Sequence, residues 1–431
     1  MLPADSSATV VAAPRHLPHV TPRAIALLVV LLAMTTILSQ FFRASLAVIA
    51  PELIRELSLS AAMLGLANGG FFAALLVAQI AVGVALDKAG PRRTVGVLSV
   101  FMTIGAAMHA VATTGTMLVA ARIITGIGCA ASFMAALVLI SAWLPRPRWS
   151  TGLSWVFGTS QLGILLAGAP LALAAEHFGW RWAFAAMAGV SAAAGLAFLL
   201  FVHDRPPGHD ATATAPMPHP GTWSGLKQII AIQGILPVFA LFGVAYAAVA
   251  TISGLWAGPY LKDIYGLDAA ARGLVLTLMA AIQMIGVLLF GPLDRRFNTR
   301  KWLIVFGATA TLLVLCALAT LSAPPLWLAL SLLFSLSAAS AYNTLLLTHM
   351  RAHFPDHLAG RGATTGNIAQ LAGAAVLPVV TGFIPGLIGT TGDGYAPDGY
   401  RLIFATLAAC LALGLVIYLA GSRDIRPGDA A

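Results

Sequence analysis

Acidic side chains are scarce in this 431-residue chain, with 15 Asp and Glu against 24 Lys and Arg, and all four types together make up only 9% of it. So few charges cannot clothe a globular domain in water, which excludes the soluble fold classes. Cysteine is nearly missing as well. Cys129, Cys316 and Cys410 each stand alone in an apolar run, excluding a disulfide framework or a cysteine metal centre. There is no GxxxxGK[ST] stretch, which argues against ATP as the direct energy source. No Ser/His/Asp or Cys/His constellation gathers at one level of the chain, so the residues point away from an enzyme and imply no cofactor.

What the chain has in abundance is hydrocarbon: 59% of residues are hydrophobic and mean hydropathy is +0.90. Apolar stretches of about twenty residues recur throughout, each long enough to cross a bilayer as a helix. Twelve spans are predicted, at 24–50, 61–86, 94–113, 117–144, 151–175 and 181–202, then 232–258, 270–292, 301–322, 325–350, 363–388 and 401–421. The first is too long for a signal-peptide core and is expected to be retained. The fold class is therefore all-α and membrane-embedded.

Sixteen residues from Pro51 (PELIRELSLSAAMLGL) return in outline 208 positions later, from Pro259 (PYLKDIYGLDAAARGL). Such spacing is too long for a solenoid and points to two related six-helix bundles around a central site, as in secondary transporters. The expected organisation is a tail at 1–22, a bundle at 23–202, a Pro- and Thr-rich linker at 203–231, a second bundle at 232–422 and a tail at 423–431.

Lys and Arg are distributed unequally about these spans. With the N-terminus cytoplasmic, seventeen of them flank the spans on the inner side and five on the outer: Arg55, Arg181, Lys262, Arg272 and Arg401. That bias predicts both termini in the cytoplasm. It also explains the net charge of +9 without nucleic acid, so the partners expected are a lipid bilayer and a small-molecule substrate, with a monomeric chain.

Between the second and third spans lies Gly83-Val-Ala-Leu-Asp87-Lys88-Ala-Gly90-Pro91-Arg92-Arg93, and between the eighth and ninth Gly291-Pro-Leu-Asp294-Arg295-Arg296. A turn needs the glycine and proline but not this charge pattern. The first stretch resembles the signature GxxxD[RK]xG[RK]xx[RK] of the major facilitator superfamily, and the resemblance covers essentially the whole chain. It implies two pseudo-symmetric six-helix bundles working by alternating access, and a cytoplasmic gate at Gly83, Asp87, Lys88, Gly90, Arg92 and Arg93, echoed by Asp294 and Arg295. The second copy departs from the signature, since Gly291 stands three residues before Asp294 and no glycine follows. Arg122-Ile-Ile-Thr-Gly126-Ile-Gly128 is similar to the family's fourth-span RxxxGxG pattern, which implies an Arg facing the cavity. Gly158, Gly163, Gly168 and Pro170 match its fifth-span glycine pattern only in part, and helix packing accounts for them.

Candidate binding residues come from a census of strong hydrogen-bonding side chains inside the spans. Apart from Arg181, Arg272 and Arg401 at span starts, these are Gln40, Arg43, Asn68, Gln79, Arg122, Gln161, Gln233, Gln283, Asn343, Asn367 and Gln370, with none in the third, sixth, ninth or twelfth span. Such groups are costly against lipid and belong where water or substrate meets them. Thr36, Gln40 and Arg43 follow i, i+4, i+7 spacing along one stripe. Tyr246 and Trp256, and Tyr342 beside Asn343, are expected to form the facing wall. Tyr260 fits an outer aromatic belt. Phe41-Phe42-Arg43 followed by Pro51 is similar to the first helix of the organophosphate and anion symporter branches, where the Arg contacts an anionic substrate. Those carriers have a second Arg in the seventh span; here the place is held by Ala250 and Thr251. One guanidinium suits a carboxylate or zwitterion better than a phosphate ester.

The expectation is a secondary transporter for a small organic anion or zwitterion in a bacterial inner membrane. A drug exporter and a carrier-fold sensor are the alternatives, and the lack of an embedded carboxylate disfavours the exporter. Coupling to protons or to a counter-anion stays open at this point. No Asp or Glu lies within a span, and His109 and His349, near span ends, fit solvated interfacial residues.

Overall fold

The computed structural model describes residues 21–206, 228–354, 359–391 and 394–426. The expected tails and linker lie largely outside them, including Arg15 and Lys227. Among the described residues, eleven helices are long and apolar enough to cross a membrane: Pro22–Leu57, Ala61–Ala110, Gly115–Trp143, Thr151–Phe178, Trp180–Phe201, Ile235–Tyr265, Ala269–Phe297, Lys301–Thr320, Leu326–Ala352, Thr364–Ile388 and Pro397–Gly421. Ala61–Ala110 is two spans in one, because at Gly90 the backbone turns to φ 80°, ψ 160° and the chain reverses. Twelve spans result. The connection expected as a loop over Gly83–Arg93 is thus a single glycine, with helix on both sides. Only glycine takes that dihedral without strain, and Pro91 suits the first turn of the helix that follows.

The sequence repeat encodes the turn that joins the first two spans of each half. Ser58 (φ 48°) and Gly266 (φ 66°) end their helices in the left-handed region, which releases the chain. Two residues on, Ser60 accepts a hydrogen bond from Met63 N at 3.2 Å and Asp268 from Ala271 N at 2.7 Å. Side-chain caps therefore start the second and eighth spans at matching places.

The two halves meet most closely at the end that carries Pro51 and Pro259, here the Pro51 end. A Cβ on Gly65 would collide with the Pro378 carbonyl, on Gly69 with that of Ala375, on Gly258 with that of Ala47, and on Gly273 with Ala172. Backbones of opposite halves touch at these glycines, the small-residue packing that membrane helices use. Arg272 and Glu52 close the same end as an ion pair across the halves at 2.5 Å, the guanidinium only 2% exposed. Toward the Gly90 end the glycines of the same helices face space: Gly83 and Gly158 have no described atom within 4 Å of an added Cβ. Asn367 Nδ2 donates to Gln79 Oε1 across the halves at 2.9 Å on that side.

Glu52→Ala leaves the buried Arg272 charge unpaired, a loss of about 3–5 kcal/mol for the closed Pro51 end. Spin labels on Arg55 and Asp268, one per half, are expected to move apart in the variant. An unchanged distance distribution with an unchanged melting temperature would contradict the assignment.

Candidate functional site

Midway along the seam lies a cavity of about 230 Å³, walled by the first, second, fifth, seventh, eighth and tenth spans. No described residue of the third, sixth, ninth or twelfth span lines it. Half of its walls are broken helices. The fourth span, just behind, is interrupted at Ala130 and Ala131, the fifth at Gly168, the seventh by a π-helical turn at Ile252–Trp256, and the tenth by a tight turn at Ser340–Tyr342. Irregular backbone at membrane depth is tolerated where it is buried in protein or lines a cavity, and π turns often mark functional positions.

The wall from the N-terminal half carries the charge. Arg43 lines the cavity and its guanidinium sits 5.5 Å from the Phe133 ring centroid, a cation–π arrangement. Its Nε is buried with no hydrogen-bond partner among the described residues. Beside it Gln40 Nε2 donates to Gln161 Oε1 at 3.2 Å, joining the first and fifth spans. The backbone under Arg43 is held from behind: Arg122 Nη1 donates to the Phe42 carbonyl at 2.6 Å, Nη2 to Asn68 Oδ1 at 3.3 Å, and the guanidinium covers the Phe71 ring at 4.5 Å.

The wall from the C-terminal half offers lone pairs. Ser253 donates its proton to Val249 O at 3.0 Å, Thr344 to Ala341 O at 2.9 Å and Ser340 to Ser337 O at 2.7 Å. Each hydroxyl has spent its only donor within its own helix, so what remains to face the cavity is an acceptor. Asn343 Nδ2 likewise donates to Ser340 O at 2.9 Å, while its Oδ1 is buried with no partner among the described residues. Gln283 Nε2 donates to Ser340 Oγ at 3.2 Å. A ligand that is anionic at one end meets Arg43, and O–H or N–H donors at its other end meet these acceptors.

Of the twelve candidate binding residues, Gln40, Arg43, Gln161, Tyr246, Gln283 and Asn343 come together on this cavity. The other six do not line it. Thr36 is fully buried and donates to Ala33 O at 2.9 Å within its own helix. Arg122 is 1% exposed and acts through Phe42 as above. Trp256 is buried and donates to Thr381 Oγ1 at 2.9 Å, Tyr342 is buried against Gly307, Asn367 is engaged by Gln79, and half-buried Gln370 stands outside the lining. Sequence reasoning passed over Ser340 and Thr344. Small hydroxyls in an apolar helix carry no signal until the turn at Ser340 brings them to the cavity.

Three expectations near span ends are corrected. His109 is 1% exposed and stacks on Phe184 with centroids 3.8 Å apart. His349 is fully buried, with Nε2 at 2.9 Å from Arg423 O and Nδ1 at 2.8 Å from Tyr418 Oη. Neither is a solvated interfacial residue, because the neighbouring helix covers each. Tyr260, 3% exposed, packs against Tyr265, Tyr400 and Phe404 and belongs to no lipid-facing belt.

At the Gly90 end, Asp87, Lys88 and Arg93 are exposed. Arg92 is held by its backbone N–H, which donates to Asp204 Oδ1 at 2.6 Å, and by Nε, which donates to Leu199 O at 2.7 Å. Asp204, just past the sixth span, thus caps the start of the third. The second half repeats the device: Asp424, just past the twelfth span, accepts from Lys301 N at 3.0 Å, Arg300 N at 3.2 Å and Thr299 Oγ1 at 2.7 Å. Burial raises the Asp424 carboxyl, but these donors outweigh it and hold the group below the ordinary carboxylate value. Asp294 pairs with Arg300 Nε at 3.4 Å, and Arg295 is exposed. The two capping acids escaped sequence reasoning, although the matching positions after the sixth and twelfth spans hinted at them.

The sequence profile of the Major Facilitator Superfamily matches residues 32–258 and 238–430. A Cupriavidus necator protein named "Probable sulfoacetate transporter" is 24% identical over 401 residues, covering 88% of this chain and 89% of that one. The hexuronate transporter of Bacillus subtilis is 22% identical over 398 residues, covering 88% and 92%. In fold, a bacterial homologue of the human lysosomal transporter Spinster, in an inward-facing and unoccupied conformation, superposes with a TM-score of 0.80 at 17% identity, covering 93% of this chain and 97% of that one. Twelve spans, a repeated half and a family profile that spans both copies agree, and the chain belongs to the Major Facilitator Superfamily.

Proposed function

We propose that this chain is a secondary transporter that carries a small hydroxylated organic anion across a bacterial inner membrane by alternating access, with no covalent chemistry on its cargo. The observation that carries the reading is Arg43, a guanidinium with no acidic partner among the described residues, in a cavity whose far wall offers acceptors. Arg43 takes the carboxylate, Gln40 and Gln161 flank it, and Ser253, Asn343 and Thr344 receive the hydroxyl protons; Tyr246 and Gln283 complete the pocket. Relatives named for sulfoacetate and hexuronate transport support an anionic cargo. A single cation balances a single negative charge, so hydroxylated monoanions of the hexuronate kind suit this pocket better than a dianion without O–H donors, such as sulfoacetate.

The excess of Lys and Arg about the Gly90 end supports a cytoplasmic placement for it and for both termini. The halves then stand closed to the outside and parted toward the cytoplasm, as a monomer. The first and second bundles act as the two rocking bodies. Gly83, Asp87, Lys88, Gly90, Arg92 and Arg93, with Asp294 and Arg295, form the gate of the cytoplasmic end. Gly83 faces empty space in this state, so its missing side chain serves the opposite state, when that end shuts.

Uptake of radiolabelled glucuronate and of sulfoacetate into proteoliposomes tests the reading. Arg43→Ala is expected to reduce glucuronate uptake at least about a hundredfold, the loss of a charge-assisted contact worth roughly 3 kcal/mol, with melting unchanged. Undiminished transport by this variant would end the assignment. Asn343→Leu is expected to weaken glucuronate uptake about tenfold, since a buried acceptor for a cargo hydroxyl is lost, while sparing sulfoacetate; equal losses for both anions would remove the acceptor wall from the account. Gly83→Leu is expected to keep glucuronate binding, measured by calorimetry, and to lose transport. Wild-type turnover in that variant would separate Gly83 from the gate.

A further inference from the structure

Resting on the anion reading above, we infer that this carrier is an obligate exchanger: the empty protein does not cross between its two facing states, and an anion entering on one side is matched by an anion leaving on the other.

The argument turns on what accompanies Arg43 when no anion is bound. Among the described residues that line the cavity, Arg43 and Tyr246 are the only ionisable ones; the rest are amides, serines, a threonine and apolar groups. The described acids stand at the two ends of the bundle. Glu52 is paired with Arg272, Glu56 with Arg181, Asp398 with Arg401 and Asp294 with Arg300. Asp204 and Asp424 are engaged as helix caps.

Reorientation passes through a state in which both ends are shut. With the Gly90 end parted, water reaches Arg43 and compensates its charge. Shutting that end over an empty cavity removes the water and leaves a guanidinium whose neighbours are an aromatic ring, the buried Cys129 thiol and two glutamines already bonded to each other. An uncompensated buried charge is among the most costly features a protein interior can hold. Arg122 shows the contrast, since a carbonyl, an amide oxygen and a ring hold its charge whether or not the cavity is filled. A bound carboxylate supplies for Arg43 what the protein withholds, so the loaded carrier closes and the empty one does not. An embedded Asp or Glu would serve as an internal counter-charge and let the empty carrier return, and none stands among the described residues of the lining.

The test uses the purified full-length protein in proteoliposomes with labelled glucuronate outside, equal pH on both sides and the potential clamped at zero. Vesicles filled with unlabelled glucuronate are expected to take up label at least about tenfold faster than empty vesicles. A pH gradient of either direction is expected to give no accumulation in empty vesicles. Gln161→Glu places a carboxylate in the same cavity, and its loaded-to-empty ratio is expected to fall toward one. Wild-type uptake into empty vesicles at the loaded rate, or accumulation driven by a pH gradient, would overturn the exchange inference while leaving the anion reading intact. If neither glucuronate nor sulfoacetate moves under any loading, the anion reading falls and the exchange inference with it. The wild-type ratio decides the matter even if Gln161→Glu does not fold.

Discussion

Backbone against backbone at the Pro51 end is the contact on which the rest of the arrangement depends. Gly65, Gly69, Gly258 and Gly273 let helices of opposite halves approach without side chains between them, and in a bilayer, where lipid is as apolar as leucine, such close packing is what holds helices together. The contact fixes the seam, and the seam fixes the cavity. Because it sits on one side of the cavity only, it leaves the other side free to part.

Part of the cavity's polarity comes from where the helices break. A regular helix satisfies its own backbone and offers little to a ligand; the interruptions at Gly168, Ile252–Trp256 and Ser340–Tyr342 bring small residues and hydroxyls to the wall. The division of labour between halves follows. The regular first helix presents a rigid cation, backed by Arg122 through the Phe42 carbonyl, and the irregular seventh and tenth helices present acceptors.

Much of this was legible in the residues and some of it was not, for physical reasons. Apolar runs set by bilayer thickness located the spans, and the 208-residue repeat located the halves, since both are local signals. Arg43, Gln40, Gln161 and Gln283 were found because strong hydrogen-bonding groups inside a membrane have few places to go. Arg122 obeys the same rule, yet its partner is a carbonyl of the first span, and no spacing in the sequence predicts which of two buried cations will face water. The pairs Glu52–Arg272 and Gln79–Asn367 join positions more than two hundred residues apart, beyond any periodicity. His109 and His349 misled because closeness to a span end says nothing about whether a neighbouring helix covers the side chain.

The two capping acids make each half a closed circuit. Asp204 ties the chain just past the sixth span to the start of the third, and Asp424 ties the chain just past the twelfth to the start of the ninth. The last helix of each half is therefore anchored within that half. The connection between the halves thus departs from a point already fixed within the first half.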